Sequence, residues 1–107
     1  KSVAIAEYRR VIDSQPQAVA ARINLGGLLA SLGQFEEAER ELREGVMLAP
    51  DLAAARVNLA TLLETTGRQR AAMSEFQAAL KLDPTREDAR LGLERLVRQG
   101  VHEGLQP

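Results

Sequence analysis

A chain of 107 residues, 45% hydrophobic and 27% charged, is long enough for one small domain and is neither disordered nor membrane-spanning. Aromatics are only 3%, so a core must come from Leu, Ala, Val and Ile, which suits closely packed helices better than a β-sandwich. A net charge of −1 gives no basic footprint for nucleic acid, the absence of cysteine excludes disulfides and thiolate metal sites, and no apolar run approaches the roughly 20 residues of a membrane span. The chain opens Lys1-Ser2-Val3-Ala4, straight into a helical pattern with no secretory leader, which reads as a piece of a longer protein. The cytoplasm is the first expectation, and the periplasm stays open if a leader has been removed.

Residues 1–16 read as a single helix stopped by Pro16. Pro16, Pro50 and Pro84 are 34 residues apart, Gly33 and Gly67 keep the interval, and so do Arg22, Arg56 and Arg90. Aligning residues 17–50 with 51–84 gives 12 identities in 34 positions, among them Asn24/Asn58, Leu25/Leu59, Leu29/Leu63, Ala38/Ala72 and Glu41/Glu75. Within each unit two helices are expected. Apolar residues at Ile23, Leu25, Leu28, Leu29 and Leu32 predict a first helix over 20–32, ended by Gly33, a residue suited to the left-handed conformation. A second helix follows from about Phe35 to Leu48, with Ala38, Leu42, Gly45 and Val46 inward, and Glu36–Arg40 and Glu39–Arg43 as i,i+4 pairs on its outer face. Pro50 stops it, and Asp51 stands where a first-turn acid complements the next helix dipole. Residues 51–84 repeat the scheme. Thr85 with Asp88 predicts a capping box for a last helix to about Gln99, and Gly100, Gly104 and Pro107 predict a frayed tail.

The recurring residues resemble the tetratricopeptide repeat. Unit one supplies Leu25-Gly26, Ala38 and Pro50; unit two supplies Leu59, Ala72, Phe76, Ala79 and Pro84; the N-terminal segment, with Ala4, Tyr8 and Pro16, looks like a second helix alone. Arg22 and Arg56 replace the signature Trp, Leu29 and Leu63 the first aromatic, Leu42 the second in unit one, Gly45 an Ala and Ala60 a Gly. The resemblance implies an all-α fold: an α-solenoid of antiparallel helix pairs, a right-handed superhelix of about six helices, with first helices lining a concave groove. The expected organisation is one repeat domain over 1–99 (half repeat 1–16, full repeats 17–50 and 51–84, C-terminal capping helix 85–99), followed by a flexible tail, 100–107.

The same resemblance suggests that Asn24 and Asn58 hydrogen-bond a ligand's main chain from the groove, since an amide both donates and accepts; the competing reading is that each bridges backbone within the stack. Ile23, Gly27, Val57 and Thr61, with Ala20 and Ala54, would form a shallow groove floor. Co-chaperone members carry a Lys/Arg clamp that grips a C-terminal carboxylate, but the matching places here are Ile23, Gly27, Asp88 and Gly92, which argues against that ligand class. Gly26-Gly27 reads as close packing that also opens the groove. Arg22, Arg56 and Arg90 would cover apolar surface with wet guanidinium groups, or form a ladder for an acidic partner. Glu36, Glu37, Glu39, Glu41 and Glu44 read as a solvated face, and His102 as a solvated tail residue.

No nucleophile–base pair, phosphate-cradling loop or metal-spaced set is present in the sequence, so the expectation is a non-enzyme without cofactor or metal, binding a peptide segment or helix of another protein and neither nucleic acid nor membrane. Two alternatives stand beside it. Half-repeats could pair copies head to tail through Val3, Ile5, Val11 and Ile12 at one end and Leu91, Leu93, Leu96 and Val97 at the other. Alternatively the array recruits substrate for a catalytic domain elsewhere in a longer chain, as in family members attached to glycosyltransferases or sulfotransferases.

Overall fold

The computed structural model describes residues 2–102. Among them are six helices and no strand: α1 (Ser2–Ser14), α2 (Val19–Ser31), α3 (Phe35–Leu48), α4 (Ala53–Thr65), α5 (Gln69–Leu82) and α6 (Glu87–Arg98). The helices form a stack measuring 43 × 26 × 23 Å. α2 packs on α3 and α4 on α5; α4 also touches α2 and α6, so α2, α4 and α6 form one row.

Two kinds of turn generate the period. Between α2 and α3, Gly33 takes φ +80°, its N–H bonds to the Ala30 carbonyl at 3.0 Å, and the Gln34 N–H reaches back to Leu29 at 2.9 Å. This is a Schellman closure, which needs a residue without Cβ at the left-handed position. The Gln34 carbonyl then accepts from Ala38 N–H, so one three-residue turn ends α2 and starts α3. Gly67 (φ +85°) and Arg68 repeat the device between α4 and α5.

The return turns are built on proline. Ala18 N–H bonds to Gln15, Leu52 N–H to Ala49 and Arg86 N–H to Asp83, each closing a four-residue turn with Pro16, Pro50 or Pro84 in its second position. Proline's fixed φ suits that position, and its missing N–H is not needed there.

Three local expectations are corrected. Thr85 and Asp88 form no capping box: Arg86 is the N-cap, without a side-chain cap bond, and the Thr85 N–H and hydroxyl both donate to Asp83 Oδ1. Asp51 lies in the proline turn, not in the first turn of α4. Gly100 is not tail. It takes φ +86° as a third Schellman glycine, Val101 N–H bonds to Leu96, and the Val101 side chain packs back on the core, the apolar contact this motif favours. His102 is exposed, and Gly104 and Pro107 lie outside the described residues.

The core is a continuous row of Leu and Ala with Ile23, Val57, Met73 and Phe76. Leu25, Leu29, Leu42, Leu59, Leu62, Leu63, Phe76 and Leu96 are almost wholly buried, and among the described residues no polar side chain is buried with them. Ala38, Ala55, Ala60, Ala72, Ala79 and Ala89 are fully buried between helices, where larger side chains would hold the axes apart.

Because Gly67 sits in the left-handed region, Gly67→Ala is expected to lower the unfolding free energy by about 1–2 kcal/mol, read from the urea midpoint at unchanged m-value.

Candidate functional site

The arginines at the Trp register are already paired. Arg22 meets Glu41 at 2.8 Å and Arg56 meets Glu75 at 3.0 Å, with all four side chains at least three-quarters buried. Each pair ties the first helix of a unit to its second. Arg22 Nε also donates to the Pro16 carbonyl at 3.0 Å, whereas the buried Arg56 Nε has no partner among the described residues. Arg90 bonds to Glu87 and Glu94 of its own helix. The ladder therefore spends its charge inside the molecule.

Three acids of the run on α3 are likewise braces. Glu37 accepts from Arg9 of α1 at 2.6 Å, Glu41 holds Arg22, and Glu39 lies between Arg43 at 2.7 Å and Arg68 at 2.6 Å. Of the two expected i,i+4 pairs, Glu39–Arg43 forms.

An open cleft of about 300 Å³ lies between α2 and α4, lined by Gly27, Ala30, Ser31, Phe35, Leu42, Asn58, Thr61, Leu62 and Thr65. Its polar rim is built in a particular sense. The Ser31 hydroxyl donates to Leu28, Thr61 to Val57 and Thr65 to Thr61, each back onto its own helix. Their oxygens keep lone pairs for a donor from outside. The half-buried Asn58 and the exposed Asn24 make no side-chain hydrogen bond among the described residues.

The bulk of the second-helix residue decides where the row of first helices opens. A Cβ added at Gly26 would stand 2.6 Å from Leu42 Cγ, whereas one added at Gly27 would meet nothing within 4 Å. Close packing and groove opening thus fall to adjacent glycines. One repeat later the second-helix residue is Phe76, and its ring comes within 2.4 Å of where a Gly92 Cβ would be. Gly92 stands at the register of Asn24 and Asn58, so the asparagine series ends where the phenyl ring needs the space. Between α4 and α6 the face is further bridged by Arg95, whose Nε and Nη2 both bond to Glu64 at 2.7 Å.

The structure brings Gly27, Asn58 and Thr61 together in the cleft and leaves Asn24 outside its lining. Ile23 and Val57 are not groove floor: at 7% and 5% exposure they belong to the core, and Ile23 packs over Gly45. Phe35, Ala30, Ser31 and Thr65 were not expected there. Ala30 and Ser31 follow Gly27 by three and four positions, and Thr65 follows Thr61 by four, the helical spacing that places them on one face. At the places of a basic clamp, Ile23 is buried, Gly27 has no side chain, Gly92 lies under Phe76, and Asp88 is held by Arg86 at 2.8 Å. None supplies a cation. Among the described residues no group of three or more His, Asp or Glu could hold a metal, and no helix is long and apolar enough to cross a membrane.

A stack of paired helices with a row of first helices facing one side defines an α-solenoid. Family models described as tetratricopeptide repeat match residues 3–63 and 53–86, and the chain belongs to that family. Among solved structures, the first TPR of Spaghetti (RPAP3) bound to the HSP90 peptide SRMEEVD superposes with TM-score 0.85 at 19% identity, over 89% of this chain and 75% of that one. The Arabidopsis OM64 TPR domain also gives 0.85, at 22% identity over 91% and 79%. MamA gives 0.82 at 24% identity, over 90% of this chain and 56% of that one. No curated protein matches the sequence.

The Arg68 guanidinium, hydrogen-bonded to Glu39 with Arg43 beside it, holds the Glu39 carboxyl at about 2 against an ordinary 4.5. A depressed carboxylate stabilises the fold above its unfolded value, and that contribution is lost as pH falls through the folded one. Thermal melts between pH 4.5 and about 2 should therefore show a falling Tm, with a shallower fall in Glu39→Gln, which melts lower than wild type at neutral pH.

Proposed function

We propose that the chain is a protein-interaction module whose cleft between α2 and α4 takes an extended segment of a partner, with one apolar side chain seated over Leu42. The observation that carries this reading is the chemistry of the cleft. Its floor is apolar (Leu42, Leu62, Ala30), Phe35 stands half-exposed at its edge, and Gly27 leaves it open. Its rim offers hydroxyl oxygens to main-chain N–H donors, and Asn58 can both donate and accept. An extended main chain presents both kinds of group and needs no charge to be held.

Membership of a family of interaction scaffolds supports the reading, as does the likeness to domains solved with peptides, the HSP90 peptide above and, for the second TPR domain of human RPAP3, the HSP70 peptide SGPTIEEVD. The ligand proposed here differs from those acidic tails, because Ile23, Gly27, Asp88 and Gly92 offer no cation to a terminal carboxylate.

Screening a displayed peptide library tests this. Enriched segments should carry a medium-sized apolar side chain without a requirement for a free acidic C-terminus, and SRMEEVD should bind no better than its scrambled form. Gly27→Leu fills the open side of the cleft where nothing lies within 4 Å, so it should abolish binding with the fold intact by circular dichroism. The Asn24→Ala/Asn58→Ala pair should weaken binding about tenfold or more. Absence of any enriched segment, or equal binding by all three proteins, would contradict the proposal.

A further inference from the structure

The seam inside each repeat has a fixed code. The first helix contributes an Arg and two Leu (Arg22, Leu25, Leu29; Arg56, Leu59, Leu63), and the second an Ala, a Glu, a large apolar residue and a small one (Ala38, Glu41, Leu42, Gly45; Ala72, Glu75, Phe76, Ala79). In both units the four leucines and the large apolar residues are at most 1% exposed, and Arg joins Glu across the seam.

Among the described residues, the two end helices carry the two halves of this code unpaired. α6 presents Arg90, Leu93 and Val97 at the first-helix register, around an apolar cleft of about 530 Å³ also lined by Glu94 and Arg98. Val97 is 59% exposed where its counterparts Leu29 and Leu63 are at most 1%. α1 presents Ala4, Glu7, Tyr8 and Val11 at the second-helix register, with Val11 40% exposed where Ala79 is fully buried. Among the described residues, the charged residue at each end pairs on its own helix: Glu7, 60% exposed, meets Arg10, and Arg90, 46% exposed, meets Glu87 and Glu94.

We propose that α1 of a second copy docks on α6, so that a repeat is completed between molecules: Tyr8, Val11 and Ala4 of one copy cover Leu93 and Val97 of the next, and Glu7 pairs with Arg90. The match in both apolar register and charge singles out a second copy as the occupant. The faces differ from those expected from sequence: Ile5 and Ile12 pack on the core, Leu96 is wholly buried, and Val3 and Leu91 lie outside the seam code, while Tyr8 and Leu93 are themselves partly buried against the core, so Val11 and Val97 are the apolar seam residues left most open. The contact is head to tail, which builds a ring where the rotation closes and a filament where it does not. One residue opposes it. Glu94 stands where the repeats carry Gly26 and Ala60, and its carboxylate competes for Arg90 at 2.6 Å. One helix on one helix is a small interface, so the association belongs to the weak, concentration-dependent class.

Sedimentation velocity of the whole chain from about 10 µM to about 1 mM tests the proposal. The weight-average mass should rise with concentration. Glu7→Arg and Arg90→Glu, both at exposed positions, should each stay monomeric alone, and mixing the two should restore assembly, since every junction then pairs opposite charges. Glu94→Ala should shift the rise to concentrations about tenfold lower. Gly27→Leu should leave association unchanged, which separates this interface from the cleft between α2 and α4. A monomer throughout the range overturns the proposal and leaves each end face to a helix of another protein or of a longer chain. So does an increase in mass that the charge reversals do not alter, or one that Gly27→Leu abolishes.

Discussion

How closely the two helices of a repeat can approach governs the rest of this molecule. Ala38 and Ala72 are fully buried at the crossing, and Gly26 leaves no room for even a methyl group beside Leu42. At that separation the Leu side chains of the first helix interlock with the second, and a partly buried Arg–Glu pair can span the seam. Neither helix can bury its apolar face alone, so stability comes from the pairing and from stacking one pair on the next. The turns serve the same end. A three-residue Schellman turn and a four-residue proline turn return the chain quickly enough for neighbours to pack side by side.

The same seam bears on where surface is left open. Leu42 packs closely against Gly26 of its own repeat and also lines the open cleft beside Asn58. Phe76 fills the space beside Gly92 of α6, where a third asparagine would stand. The Arg95–Glu64 bridge then spans α4 and α6. Two repeats that look alike in sequence therefore differ locally: a leucine borders the cleft beside Asn58, and an aromatic ring fills the matching place beside Gly92.

Much of this was legible in the sequence. The 34-residue interval gave the repeats, the helix pairs and both kinds of turn, because proline and glycine act locally and by sterics alone. What escaped depends on partners distant in the chain. Arg22 and Glu41 are 19 residues apart, Arg68 and Glu39 29, and no local pattern announces that they meet, so the arginines read as wet and the acidic run as a solvated face. Analogy of position assigns Ile23 and Val57 to the groove, but both are core, and Ile23 packs over Gly45 of the second helix. Gly100 was read as tail because residues 100–107 contain Gly100, Gly104 and Pro107; its role as a third helix stop rests on the backbone bond from Val101 to Leu96. Gly26-Gly27 reads in sequence as a single close-packed feature, while the difference between them, Gly26 tight against Leu42 and Gly27 open, depends on a side chain from another helix.

That difference is the sharpest statement of the account, since it separates a residue that holds the seam from its neighbour that opens the cleft. Urea unfolding of Gly26→Ala and Gly27→Ala, measured side by side, tests it directly. Both substitutions gain the same intrinsic helix propensity, about 0.5–1 kcal/mol. Gly27→Ala should therefore match or exceed wild type in stability. Gly26→Ala should lose about 1–3 kcal/mol through overpacking against the buried Leu42 and the Ala38 carbonyl oxygen. Equal stability of the two variants, or a greater loss at Gly27, would contradict the account.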